Sequence, residues 1–280
     1  MSSRLTTFSN GKYTFDVIDE GPLDGPPVVL LHGFPQTGAS WARLVPHLHA
    51  RGFRTFAPTQ RGYSPGARPR SRFQYRIGAL VGDTLALIDA LGTESVHLVG
   101  HNWGSTVGWA VAARHPHRVK SFVSISVPHP VAFLRACLTS SQSMRSWYML
   151  AFQVPWIPER ILGMKQQLRE GLAGTGMVDD QIDRIVDDVA GTGAMHGAVN
   201  WYRAMFIAGP EALRKVTVPT THVWSTRDGL MARKTAELAG DYVTGPYRLE
   251  VLDATHWVPD DCPEELAAII AERAGSTGVG

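Results

Sequence analysis

Val96-His97-Leu98-Val99-Gly100-His101-Asn102-Trp103-Gly104-Ser105 is the stretch that decides the fold. An apolar strand-like run passes directly into Gly-x-Nuc-x-Gly, and the small and β-branched residues Thr106, Val107, Gly108, Ala110, Val111, Ala112 and Ala113 follow as a helix. This is the sequence form of a nucleophile elbow, a strained strand-to-helix turn that lifts one side chain above the top of a sheet. Gly100 and Gly104 relieve the crowding that a Cβ would cause beside the turn. Asn102 holds the tip, where Ser, Cys or Asp could attack carbon but a neutral carboxamide is a poor nucleophile.

Working outward, strand and helix signals alternate. Lys12 to Ile18 reads as an early strand, Val28 to Leu31 as a fully buried one ending in His32-Gly33-Phe34-Pro35, and Arg54 to Ala57 as a short one. Ile77, Leu80, Val81, Leu85, Leu87, Ile88 and Leu91 recur at helical spacing and stop at Gly92. After the elbow helix, which runs to Arg114, Val119 to Val127 reads as a strand broken by Pro128 and Pro130. This alternation predicts an α/β fold with a mostly parallel central sheet flanked by helices.

From about residue 128 to 210 the strand signal disappears, and helical stretches rich in Trp, Tyr, Met and Phe take its place. Strand patterns return at Thr220 to Ser225 and Tyr247 to Leu252. The expected organisation is a core of residues 1–128 and 212–280 with a helical lid of residues 129–211, set over the ligand crevice at the carboxyl edge of the sheet. Gly275 to Gly280 reads as a loose tail.

An elbow of this kind takes its acid and its histidine downstream, in that order. Asp228 follows the run Val223-Trp224-Ser225-Thr226-Arg227, and His256 follows the last strand in Asp253-Ala254-Thr255-His256-Trp257. His256 is the expected water-activating base and Asp228 the carboxylate that orients its imidazole. The backbone N–H groups of Trp103 and Phe34 are the expected oxyanion donors, with both side chains lining the pocket. His97 and His101 lack such context and read as structural. Ser105 lies too far along the helix to serve as an esterase nucleophile.

Composition narrows the remaining classes. The 280 residues are 44% hydrophobic and 19% charged, with a formal charge of +2, so nothing electrostatic argues for nucleic acid. Arg61, Arg68, Arg70, Arg72 and Arg76 form one basic cluster, read as a solvated loop. Cys137 and Cys262 are the only cysteines and have no metal-ligand spacing, which favours a reduced, cytoplasmic setting. The start lacks the apolar stretch of a signal peptide, and no apolar run approaches the ~20 residues of a membrane span. Neither a targeting segment nor a membrane partner is expected, and nothing decides between monomer and homodimer.

His-Gly-Phe-Pro at 32–35, Arg61-Gly62-Tyr63-Ser64, Val-Gly-His-Asn-Trp-Gly at 99–104, Asp228 and His256 resemble the epoxide hydrolase and haloalkane dehalogenase branch of the α/β-hydrolase fold superfamily. The resemblance covers nearly the whole chain. It implies an elbow reading Gly-His-Asp-Trp-Gly, whose Asp attacks an sp³ carbon to give an alkyl ester that His-activated water then hydrolyses, with no metal or organic cofactor. Tyr148 to Gln153 and Asn200 to Ala204 are similar to the two lid segments that give epoxide hydrolases a pair of tyrosines, here Tyr148 and Tyr202. Such phenols stabilise the alkoxide as an epoxide opens. Dehalogenase relatives tend to carry Asn where this chain has Phe34, so the resemblance favours a small apolar or aromatic epoxide over a haloalkane. Phe34, Trp103, Phe152, Trp156, Met205 and Trp257 are the expected substrate contacts. Trp147, Trp156, Met205 and Phe206 read mainly as packing, with pocket lining as their alternative.

Two positions depart from the family pattern. Thr59 stands where relatives often have Asp, which bears on loop hydrogen bonding. Asn102 replaces the usual Asp nucleophile, and loss of a triad nucleophile can cost ~10⁶ in kcat. Three accounts stay open. The first is an Asp-to-Asn change that leaves an inactive, substrate-trapping epoxide hydrolase. The second is a native Asn in a protein turned to non-ester acid/base chemistry through His256 and Asp228, or to ligand binding. The third is a site in which His256 drives water onto the amide and converts Asn102 to Asp.

Overall fold

A computed structural model describes residues 3–207 and 214–276. Among these, eight strands form one sheet: β1 (Thr7–Asn10), β2 (Tyr13–Glu20), β3 (Pro27–Leu31), β4 (Arg54–Pro58), β5 (Val96–His101), β6 (Val119–Ile125), β7 (Thr220–Ser225) and β8 (Tyr247–Leu252). Their order is β1-β2-β4-β3-β5-β6-β7-β8. From β4 to β8 every pairing is parallel. The two pairings at the β1 end are antiparallel. The elbow strand β5 therefore lies near the middle, between β3 and β6, and every residue of it is buried.

Alternation along the central strands assigns each face its own core, because successive strand side chains point opposite ways. Val29, Leu31 and Leu98 pack with Leu80, Leu87 and Ile88 of α2 (Ile77–Ala90) and Val107 and Val111 of α3 (Trp103–Arg114). Val28, Leu30 and Val99 pack on the other face with Val45 and Leu48 of α1 (Val45–His49) and Leu266 and Ile270 of the helix Pro263–Gly275. Near-continuous apolar strands covered on both sides are what a parallel sheet requires.

Between β6 and β7 the described residues contain helices and no strand. Among them are α4 (Gln142–Arg145), α5 (Trp147–Ala151) and α6 (Ala194–Ala204). Leu168, Leu172, Ile182, Ile185 and Trp201 of this insertion join the α2/α3 side of the core without a break. The expected lid end at residue 211 lies outside the described residues, as does the tail from residue 277. No helix among the described residues is long and apolar enough to cross a membrane.

Three expectations need correction. β6 ends at Ile125 rather than Val127, because Ser126 has φ +65° and turns the chain out of the strand. The strand β1 was not foreseen, since only Phe8 of its four residues is buried and its polar sequence carries no apolar run. Arg61 does not belong to a solvated loop: it is 3% exposed and pairs in fork geometry with Asp83, Nε to Oδ2 at 2.7 Å and Nη2 to Oδ1 at 2.6 Å. Its neighbours Arg70, Arg72 and Arg76 are exposed as expected.

Candidate active site

The elbow brings β3 and α3 so close that a Cβ on Gly104 would lie 1.9 Å from the Leu31 carbonyl oxygen. Asn102 between them has φ 54° and ψ −120°, a conformation that L-residues rarely adopt and that costs about 1–3 kcal/mol. Packing on both sides sustains it, and the Asn102 side chain is aimed past Gly33, where a Cβ would lie 2.4 Å from Asn102 Cβ.

Both polar atoms of the Asn102 carboxamide are engaged. Its Oδ1 accepts from the Phe34 N–H at 3.0 Å and from the Trp103 N–H at 2.7 Å, the latter at the positive end of α3. With the oxygen placed by two donors, the other atom must be nitrogen. That Nδ2 lies 2.9 Å from His256 Nε2, so the amide donates into the imidazole lone pair. His256 Nδ1–H donates to Asp228 Oδ2 at 2.9 Å, and Asp228 Oδ1 accepts from the Leu230 and Met231 N–H groups, both at 2.8 Å. Burial alone would raise the Asp228 carboxyl, but the His256 imidazole and these N–H donors outweigh it and hold the group below its ordinary value. The arrangement can orient a neutral imidazole, stabilise it when protonated, and receive negative charge at Oδ1.

His101 stands behind His256, with Nε2 donating to the His256 carbonyl at 2.9 Å; burial lowers its pKa to about 3 and keeps it neutral. His97 is likewise neutral, its Nδ1 2.8 Å from Ser121 Oγ. Ser105 is buried, and its hydroxyl donates to Gly100 and Ile125 carbonyls. Thr59 Oγ1 accepts from the Gly38 N–H at 3.4 Å, a loop contact.

A cavity of about 360 Å³ opens onto Asn102 and Trp103. Tyr148 from α5 and Tyr202 from α6 line it, with ring centroids 5.9 Å apart. Burial pushes the Tyr148 phenol up to about 12 and raises Tyr202 well above the ordinary tyrosine value, so both stay protonated. Gln153 Nε2 donates to the Met149 and Tyr202 carbonyls, at 3.0 and 3.1 Å, and so ties the two tyrosine segments together.

The other expected contacts divide. Trp103 and Met205 line the cavity. Phe34 and Phe152 form a second layer, both edge-on to Tyr202 at centroid distances of 5.1 and 4.9 Å. Trp257 is buried against His256, its indole N–H held by Thr175 Oγ1 at 2.9 Å, and does not line the cavity. Trp156 is 80% exposed and lies away from the site: φ 64° at this residue turns its side chain outward at the start of a short helix. Trp147 is also exposed rather than packed, whereas Phe206 lines the cavity mouth. Tyr75, Thr106, Val127, Phe133, Trp201 and Met231 complete much of the wall and were not foreseen. Only Thr106 and Trp201 carried a signal, through their proximity to Asn102 and Tyr202 in sequence.

Comparison with known proteins follows the same lines. A family model described as the alpha/beta hydrolase fold matches residues 26–178. Epoxide hydrolase 3 of Xenopus tropicalis is 31% identical over 271 residues, which span 92% of this chain and 74% of that protein. Epoxide hydrolase A of Mycobacterium tuberculosis is 29% identical over 301 residues, 91% of this chain and 92% of that one. The crystal structure of Epoxide Hydrolase A from Mycobacterium thermoresistibile superposes with a TM-score of 0.82 at 25% identity, covering 95% of this chain and 96% of the other.

Proposed function

This chain belongs to the α/β hydrolase fold family, in its epoxide hydrolase-like branch, and within that branch we propose a site for small apolar or aromatic epoxides, opened between a pair of tyrosines and residue 102. One observation carries this reading: Tyr148, Tyr202 and Asn102 line the same cavity, whose other lining residues, among those described, bear no charge. An epoxide oxygen stays on the product, so ring opening needs a donor for the emerging alkoxide rather than a berth for a departing anion. Two phenols kept protonated by burial meet that need.

With aspartate at 102, one carboxylate oxygen attacks an epoxide carbon as a phenol hydrogen bond strengthens on the opening oxygen. The ester carbonyl then lies between the Phe34 and Trp103 N–H groups, and His256, steadied by Asp228, takes a proton from the water that cleaves it. Asparagine leaves the binding and polarising parts in place but withholds the attacking electron pair. While residue 102 remains the amide, the site therefore binds the epoxide without forming the ester.

The test is Asn102→Asp against a panel of alkyl and aryl epoxides and haloalkanes. The expected result is immediate diol from epoxides, absent from the Asn102 protein while its amide is intact, which instead shows saturable epoxide binding. Halide release without diol would favour a dehalogenase. Turnover by the Asn102 form and none by the Asp variant would replace this reading with direct acid/base chemistry at His256.

A further inference from the structure

The Asn102 carboxamide is held in the posture of a substrate. Its oxygen fills both oxyanion N–H groups, and its nitrogen lies 2.9 Å from the one imidazole nitrogen able to move a proton. Its carbonyl carbon therefore sits where an ester carbonyl would be cleaved, with Nδ2 in the place of the leaving atom. The cavity that reaches Asn102 gives water access to it.

We propose that this chain hydrolyses its own Asn102 side chain to aspartate, a slow single-turnover amidase step that installs the missing nucleophile. The proposal rests on His256 and Asp228 being a water-activating pair, as in the functional reading above, but not on which substrate the finished site accepts. A water oxygen bonds to Cγ while His256 Nε2 takes its proton, and the C=O electron pair moves onto Oδ1, where the Phe34 and Trp103 N–H groups receive the charge. The imidazolium, held by Asp228, passes the proton to Nδ2. The Cγ–Nδ2 bond then breaks and ammonia leaves with its electron pair. Ammonia takes the carboxylic proton, so amide plus water yields carboxylate plus ammonium with no other reactant. In the resting site Nδ2–H occupies the imidazole lone pair, and water must first displace it, which makes the step slow.

The alternative route to aspartate, attack of the Trp103 backbone nitrogen on Cγ to form a cyclic imide, is opposed by the geometry. That N–H already donates to Oδ1 at 2.7 Å and begins α3, so closing the ring would break this hydrogen bond and the elbow conformation that holds it. Direct hydrolysis gives aspartate alone, whereas the imide route gives isoaspartate as well.

The test incubates the purified full chain in heavy-oxygen water and follows the peptide containing residue 102 by mass spectrometry. The expected result is a time-dependent amide-to-acid conversion with one heavy oxygen in the side chain, no isoaspartate, and a match in released ammonium. His256→Gln should slow it about 100-fold or more, and Asp228→Asn should also slow it. If either variant fails to fold, the wild-type chain unfolded in urea serves instead, and must convert more slowly than the native protein. An amide that persists, isoaspartate in the product, or a rate unchanged by these variants or by unfolding overturns the proposal. Conversion without subsequent epoxide turnover would keep it and discard the substrate reading.

Discussion

Lowering the pH from 7 to 5 should cost this fold on the order of 7 kcal/mol of stability, through histidines that the core holds neutral. Burial lowers His32, His97, His129 and His222 to about 4 and His101 to about 3, from 6.5. Their polar neighbours are backbone, hydroxyl and amide groups, such as the Gln60 N–H on His32 Nε2, Ser124 Oγ on His222 Nδ1 and Gln36 Oε1 beside His101 Nδ1, and none supplies a carboxylate at bonding distance. Below pH 6.5 the unfolded chain takes up protons that the folded chain refuses, so the stability these groups contribute is present above that pH and is lost as pH falls toward their folded values. Each histidine costs about 2 kcal/mol at pH 5 relative to pH 7, and the five together about 9. Asp260 works the other way: burial pushes its carboxyl up to about 7, and its protonation in the folded state returns about 2 kcal/mol over the same interval. A net loss of this size consumes most of the 5–15 kcal/mol typical of a folded domain. Urea unfolding followed by tryptophan fluorescence at stepped pH should show stability declining steeply from pH 6.5, with spontaneous unfolding near pH 5 rather than in the carboxylate range below 4. His222→Gln should reduce the number of protons taken up on unfolding at pH 5 by about one. Stability that is level between pH 7 and 5 would refute the reasoning.

Other consequences are more local. In an Asn102→Asp background, Tyr202→Phe should lower kcat for epoxide opening about 100-fold with little change in KM, and an undiminished kcat would remove this phenol from the ring-opening step. Gly104→Ala drives a methyl group into the backbone of β3, which cannot yield as a side chain would; the expected loss is at least about 3 kcal/mol, read as a lowered thermal midpoint, and an unchanged midpoint would show that the elbow can relax. Arg61→Ala should cost about 3–5 kcal/mol by stranding the buried Asp83 carboxylate, while Arg61→Met with Asp83→Leu should cost less than the single change. If the double variant is the less stable of the two, the Arg61–Asp83 pair contributes more than mutual neutralisation.

The sequence was most legible where a backbone demand selects residue types. The elbow requires small residues at 100 and 104, and a doubly covered strand requires apolar runs, so β3, β5, α2 and α3 were found nearly to the residue. Asp228 and His256 followed because the topology fixes their order along the chain, and the structure places them within 2.9 Å of each other. The cavity wall was far less legible. Tyr75, Val127, Phe133 and Met231 come from four separate segments, and nothing in a local pattern says that they converge. Trp156 shows the converse: aromatic character suggested a lining residue, but a positive φ, which no neighbouring glycine announced, turns it to solvent. Arg61 was misread for a similar reason, since its partner Asp83 lies on α2, 22 residues away, and only the packed structure joins them.

The loop that carries Asp228 is also fastened to the helical insertion. Gln142 of α4 accepts from the Ala232 N–H at 2.7 Å and donates to the Leu230 carbonyl at 2.9 Å, while Arg145 Nη1 donates to the Asp228 carbonyl at 2.7 Å. The insertion is thus a splint for Asp228 as well as part of the cavity wall. It cannot be traded between relatives as an independent module: a graft that changed 142 and 145 would leave the imidazole's carboxylate unbraced, even with every chemical residue retained.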